Sequence, residues 1–267
     1  MKTCRYVILD PTGNLTALVL DHVTREEERF LTKALLKISE QVAYLESPAI
    51  PGAEAAIRLM GGEFCGNAAM ASAAWILRNH LTAGEEKKIL MQVSGADRPV
   101  SCHIKKTEEC FQGTVLMPGV QSLYRISLAG RSFSAVKMEG ILHLIHEDAP
   151  MDKNTTENLL RDIASSLPDE AVGLLQWNRT RGELIPLVFV RGSNSMVWEH
   201  GCGSGSAAIG AYEAFLHGDG ITVTAIHQPG GTITADVEVK NGIIISIRIT
   251  GFIHLDQVRT IELPELC

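Results

Sequence analysis

The sequence predicts an α+β protein of two similar domains, each mostly β-strand and each wrapped around one apolar helix. Three observations predict it. Strand-like segments recur along the 267 residues, two helical segments are small and apolar on nearly every face, and the order of elements in the first half returns in the second. The junction is expected near Pro118, giving domains over 1–118 and 119–255.

The elements read in order as follows. Arg5–Leu9 and Leu15–Leu20 flank Pro11-Thr12-Gly13-Asn14, a turn composition that predicts a hairpin-like entry. Thr24-x-x-Glu27 is a capping box, and Phe30, Leu31, Leu35 and Ile38 then form a helical stripe. Strands follow at Val42–Glu46 and Ile57–Met60. Phe64–Leu77 has no polar face, so this helix is expected to be buried all round. Strands resume at Ile89–Val93, break at Ser94-Gly95, and continue over Val100–Lys105. In the second half Ile141–Ile145 predicts a strand, and Asn154-x-x-Glu157 predicts the cap of a helix running through Leu167. Val172–Leu175 and Leu187–Val190 predict strands, and Gly201–Leu216 a second apolar helix. Ile221–Ile226, the turn Pro229-Gly230-Gly231 and Thr232–Val239 complete the repeat. The cysteines heading the two apolar helices, 65 and 202, lie 137 positions apart. A repeat that long implies duplicated domains, not a solenoid.

Hydrophobic residues make up 45% and charged residues 21%, so a substantial core is expected and disorder is not. The formal charge of −7 excludes a general nucleic-acid binder, which carries a basic face. No run approaches the roughly 18 apolar residues of a membrane span, and the first residues lack the pattern of a secretory leader. The expectation is a cytoplasmic protein with no membrane partner. The oligomeric state is open, a homodimer among the options. Cys4, Cys102, Cys110 and Cys267 fit a reading as small buried apolar groups or a tail thiol. Cys65 and Cys202 differ in their surroundings.

Each half places a cysteine, a glycine and a small polar residue at the start of its apolar helix: Cys65-Gly66-Asn67 and Cys202-Gly203-Ser204. A helix N-terminus leaves backbone N–H groups without partners and carries about +0.5 of an elementary charge. That favours a substrate carboxylate and a neighbouring thiolate, and the glycine lets a ligand approach the amides. Two such ends suit inversion at a carbon acid, where one thiol removes the α-proton and the other protonates the opposite face. Other readings were open to this pattern. Gly203-Ser204-Gly205-Ser206-Ala207-Ala208 matches a dinucleotide fingerprint, but no acidic residue ends a second strand about 20 residues later. Glu63 with Cys65, and Glu199 with His200 and Cys202, gather donors without a zinc frame, so no metal is expected. No signal marks a Schiff-base lysine, and no cofactor is expected.

These motifs resemble those of the diaminopimelate epimerase family. The likeness extends through Thr12-Gly13-Asn14, Cys65-Gly66-Asn67, Cys202-Gly203-Ser204-Gly205, Pro229-Gly230-Gly231 and Ile249-Thr250-Gly251. It implies two pseudo-symmetric domains, each a mixed β-barrel-like sheet around a central helix. A C-terminal strand over about 256–267 returns to the first domain, and the mechanism uses two thiols without pyridoxal phosphate. The chain departs from the diaminopimelate enzymes where they hold the distal head group: Ser193 and Asn194 replace a Glu-Arg pair, Ile141-Leu142-His143 replaces Asn-Pro-His, and Met60-Gly61-Gly62-Glu63 forms a shortened loop. A closer similarity is to the histidine racemases that supply D-histidine for staphylopine-type metallophores. It is carried by Glu40-Gln41-Val42, Leu45-Glu46-Ser47, Glu63–Ala68, Val93-Ser94-Gly95, Trp198-Glu199 and His227–Gly231. This implies an amino-acid substrate with Cys65 and Cys202 catalytic. It implies Asn14, Glu46, Gly66, Asn67, Glu199, Gly203 and Ser204 in substrate binding, Glu199 standing behind the first contacts or against the ammonium. For Glu46 and Glu199 a solvated or capping carboxylate is an equally open reading. Trp198 is expected to pack, and Asn194 is a candidate for lining the side-chain pocket. Another epimerase of the fold, or a non-catalytic amino-acid binder, are the alternatives.

Overall fold

A computed structural model describes residues 2–192 and 194–264; Ser193 and the tail thiol Cys267 lie outside them. The chain divides into two compact units, Met1–Leu116 with Thr250–Cys267, and Met117–Ile249.

Unit 1 begins with β1 (Thr3–Pro11) and β2 (Thr16–Val19), the expected hairpin, paired antiparallel with Tyr6 opposite Val19 and Leu9 opposite Thr16. Between them Thr12 and Gly13 both have positive φ, and the Thr12 amide and hydroxyl both donate to Phe252 O. α1 (Arg25–Leu35) is capped by Thr24, whose capping box with Glu27 is complete. β3 (Gln41–Glu46) runs parallel to β2, β4 (Ala55–Leu59) antiparallel to β3, and α2 (Gly66–Leu77) follows. β5 (Glu86–Val93), β6 (Val100–Lys106) and β7 (Phe111–Leu116) complete the first pass, with β4–β5 parallel and β5–β6–β7 antiparallel. Every residue of α2 is buried except Ile76. It packs on β1, β2, β5, β6 and β7. α1 instead covers an outer face, where Leu31 and Leu35 meet Cys4, Tyr6, Val19, Val42, Tyr44 and Leu263.

Unit 2 repeats this order. β8 (Ser122–Leu128) and β9 (Arg131–Met138) form a hairpin, then β10 (Ile141–His146) joins β9 antiparallel. α3 (Lys153–Ser166) leads to β11 (Ala171–Asn178), parallel to β10, and to β12 (Glu183–Val190) and β13 (Ser195–Trp198). α4 (Gly203–His217) precedes β14 (Gly220–Gln228), β15 (Gly231–Lys240) and β16 (Ile243–Leu255). α4 is packed on β9, β10, β14 and β15, which repeat β1, β2, β5 and β6 around α2, and also on β11. Its one buried charge, Glu213, accepts from Trp177 Nε1 at 2.8 Å and Arg179 Nε at 2.9 Å.

Two expectations change. α3 is capped by Asp152, not Asn154: the Asp152 carboxylate accepts the Thr155 amide at 3.0 Å and its hydroxyl at 2.5 Å, so Asn154 falls inside the first turn. Residues 250–255, expected in the second domain, belong to unit 1, because Ile253, His254 and Leu255 on β16 pair with Pro11, Asp10 and Leu9. β17 (Arg259–Glu262) then pairs with Tyr6–Thr3 further along β1. No helix among the described residues is long and apolar enough to cross a membrane.

Candidate active site

Cys65 and Cys202 are the N-cap residues of α2 and α4. Both have extended backbone, so each side chain folds back over the first turn in place of the usual Ser or Asp oxygen. Cys65 Sγ accepts the Ala68 amide at 3.4 Å, and Cys202 Sγ accepts the Gly205 amide at 3.1 Å. At Cys202 the Gly205 amide favours the thiolate, one influence among several on that sulfur.

Around Cys65 the first turn of α2 meets the β1–β2 turn. Asn67 Nδ2 donates to Asn14 Oδ1 at 3.4 Å, and Gln41 Nε2 donates to the same oxygen at 2.7 Å and to Thr16 Oγ1 at 2.8 Å. Asn14 Nδ2 donates to the Glu40 carboxylate at 2.9 Å. Two further motifs brace this end. Ser94 Oγ donates to Glu63 O and accepts from Leu59 N, and a Cβ on Gly95 would stand 2.4 Å from Phe64 N, one residue before the cysteine. A Cβ on Gly251 would lie 2.6 Å from Thr12 Oγ1, which explains the glycine beside the turn that carries Asn14.

Glu46 is not part of this group. It ends β3 five residues beyond Gln41, roughly 16 Å along an extended strand. Its carboxylate accepts from Arg58 Nε at 2.7 Å, and the same guanidinium reaches Glu28 and lies over the Tyr44 ring. Strand direction therefore separates Glu46 from Asn14 and puts Glu40, at the other end of the same segment, beside it.

Around Cys202 the surroundings are drier. The residue is 2% exposed, whereas Cys65 is half-buried. Burial pushes the Cys202 thiol well above its ordinary range, and the charge and hydrogen bond of Glu199 push it further; Ser204 and the Gly205 amide pull the other way. The Ser204 hydroxyl lies 3.7 Å from Sγ and 3.0 Å from His143 Nε2. His143 is fully buried with its ring over Gly173, and burial lowers it to about 3, so it is neutral. Gln228 accepts the Cys202 amide at 2.7 Å and donates to Ser206 Oγ at 2.8 Å, while that hydroxyl donates to Cys202 O at 2.7 Å. The turn motif after Gln228 is tied in by Gly230 N to His200 O. Thus Glu199, Gly203 and Ser204 gather at Cys202. Trp198 packs in the α3 core with Nε1 on Glu157, and Asn194 occupies a turn with positive φ. The motifs left Glu40, His143, Ser206 and Gln228 unassigned; only the polarity of Gln228 directly before Pro-Gly-Gly hinted at a role.

The family model described as "Histidine racemase CntK N-terminal domain" matches residues 3–257. The histidine racemase of Staphylococcus aureus (strain Mu50) is 29% identical over 239 residues, covering 84% of this chain and 85% of that protein. The histidine racemase of Fusobacterium nucleatum subsp. nucleatum is 25% identical over 218 residues, 78% of this chain and 80% of that protein. A probable proline racemase from Agrobacterium radiobacter K84, solved with bound carbonate, superposes with a TM-score of 0.71 at 14% identity, covering 98% of this chain and 93% of that one. The fold they share is a sheet-rich α+β arrangement, with four helices among the described residues here.

Proposed function

The chain belongs to the histidine racemase family, and from that membership we propose that it interconverts L- and D-histidine with Cys65 and Cys202 as the acid/base pair. It is an isomerase, an amino-acid racemase; the substrate and the two-thiol chemistry are the proposal. The observation that carries the chemistry is the matched pair of cysteine N-caps, each sulfur on a first-turn amide of a helix that is buried along most of its length. Each unit is read as a barrel-like sheet around that helix, which the succession of paired strands supports.

The α-proton of an amino acid is far less acidic than a thiol, so the developing enolate-like charge needs stabilisation. In this reading the amides at the first turns of α2 and α4, including those of Gly66, Asn67, Gly203 and Ser204, supply the donors for the substrate carboxylate. Cys202 keeps its proton at rest because burial and Glu199 both oppose its thiolate. In that protonation state Cys202 is the acid, and Cys65 takes the α-proton from the opposite face. In the reverse reaction the roles exchange. Asn14 and its Glu40 partner are candidates for the substrate ammonium or imidazole. Both sulfurs must stay reduced, which suits a cytoplasmic location.

The test is chiral analysis of each L-amino acid after incubation in D2O. Histidine is expected to invert with one solvent deuterium at Cα. Cys65→Ser and Cys202→Ser should each lose racemisation by about 10²–10⁴-fold, the usual weight of a general acid or base. Inversion without exchange defeats the proton-transfer reading, and full activity in either variant removes that cysteine from it. Turnover of another amino acid in preference to histidine overturns the substrate assignment.

A further inference from the structure

One strand edge in unit 2 is left bare. β14 pairs with β15 along its whole length, from Gly220 opposite Val239 to Gln228 opposite Gly231. On its other side, among the described residues, it meets only β12, through Glu183 opposite His227 and the bond from His227 N to Gly182 O at 2.7 Å. That amide points away from β15. Alternation along the strand therefore turns the N–H and C=O groups of Ala225, Val223 and Ile221 to the same open side. The turn at Gly182 comes up to Ala225, where a Cβ on that glycine would lie 3.2 Å from Ala225 O. Gly220–Thr224 project past it.

The bare segment reads Gly-Ile-Thr-Val-Thr-Ala, β-branched and without charge or proline. Ile221 is 67% and Val223 63% exposed. Proteins normally protect such an edge with charge, proline or a covering element. The duplicated unit supplies an internal comparison. β5 holds the same place in unit 1, paired antiparallel to β6 and parallel to β4 only from Met91 onward. Its open end reads Glu86-Lys87-Lys88, all exposed. One of two equivalent edges is thus guarded and the other is not.

We infer that the open edge of β14 pairs antiparallel with β14 of a second copy of this chain, joining two unit 2 sheets across a twofold axis. An antiparallel edge is its own complement, as a closed two-copy contact requires. The register that opposes Ile221 with Val223 of the second copy centres on Thr222 and leaves Ala225 to the Gly182 turn. It sets four exposed apolar side chains, Ile221 and Val223 from each copy, on one face. It also brings Asp219 of the second copy alongside Ala225, next to Arg181. Asp219 is exposed and holds the Asn241 and Gly242 amides, and Arg181 is 68% exposed in its pair with Glu183, so opposite charges meet at both ends.

Val223→Pro tests the pairing cleanly. It deletes an N–H aimed at the open edge and leaves the bonds to β15 in place, because those come from Thr222 and Thr224. Val223→Lys places on β14 the kind of charge that guards β5. By sedimentation velocity the intact chain should run at twice the chain mass, and either variant should weaken self-association at least about tenfold, with native circular dichroism retained. A second readout uses the unaltered chain: Ile221 and Val223 amides should be protected from hydrogen exchange at high concentration and should exchange rapidly on dilution. A wild-type monomer overturns the inference, as does a dimer that survives in both variants or fast exchange of those two amides within a dimer.

Discussion

At Cys202 opposing influences act on one sulfur. The Gly205 amide and the Ser204 hydroxyl favour the thiolate, and burial with the neighbouring Glu199 carboxylate disfavours it. The disfavouring side wins, so in the free enzyme Cys202 is a covered thiol. Cys65 takes its amide from a half-buried position. Nucleophilicity requires both the thiolate and access, so iodoacetamide at neutral pH should label Cys65 at least about tenfold faster than Cys202, read by peptide mass mapping. Raising the pH to 9 should leave Cys202 still slow, because its proton is held well above that range. Faster labelling of Cys202 would reverse the resting acid and base assignments. Both cysteines were legible in the sequence because a residue type and its spacing recur together. Glu40 and Glu46 were not separable there. Both are carboxylates near one strand, and only the direction of β3 decides which of them reaches Asn14. His143 left no local signal, since its contact with Ser204 links residues 61 positions apart.

Helix and strand positions carry a second kind of constraint, the space left at close approaches. A Cβ on Gly205 would meet Cys202 Sγ at 2.9 Å and Leu175 Cδ2 at 3.1 Å. The sulfur has only one side-chain torsion with which to yield, and yielding takes it off the Gly205 amide. Gly205→Ala should therefore lower kcat about 10–100-fold, as misplacement of a reacting group by an ångström does. Overpacking at that site should cost on the order of 1–3 kcal/mol of stability. A variant with unchanged kcat would show that the sulfur's position against α4 is unimportant. The element order was readable where pattern is strong: the all-apolar α2 and α4, the capping box of α1 and the β1–β2 turn all form. β7, β8, β9, β13 and β16 went unread. β8 is nearly half polar and has no fully buried residue, and its turn into β9 is made by Ala129 and Gly130, both at positive φ. Alanine there gives no turn signal, so the strongest hairpin cue was absent. Asp152 outcompeted Asn154 as a cap for a similar reason, since only the backbone shows which carboxylate or amide faces the first turn.

At the scale of the molecule the duplicated units differ in how the chain builds them. Unit 2 is one contiguous stretch, Met117–Ile249, whereas unit 1 needs both ends of the chain. The sequence showed the repeat through the two Cys-Gly helices, but a return crossing has no periodic signature of its own. β17 is the last piece of that return. It pairs Arg259–Glu262 with Tyr6–Thr3, and Leu263 is 3% exposed against the core under α1. Ending the chain at Val258 uncovers the outer edge of β1 and removes Ile261 and Leu263. Two such side chains represent on the order of 2–4 kcal/mol of burial, allowing for the partial exposure of Ile261. A chain of this size loses about 2–4 °C of Tm per kcal/mol, so the shortened protein should melt about 5–15 °C lower. Hydrogen exchange locates the effect. Protection should fall in β1, β2 and α1, whose shared core loses Leu263, and should persist in α4 and β15, whose unit keeps every residue. Equal loss of protection in both units would mean that they unfold as one cooperative body, and an unchanged Tm would mean that β17 adds nothing to the edge it covers.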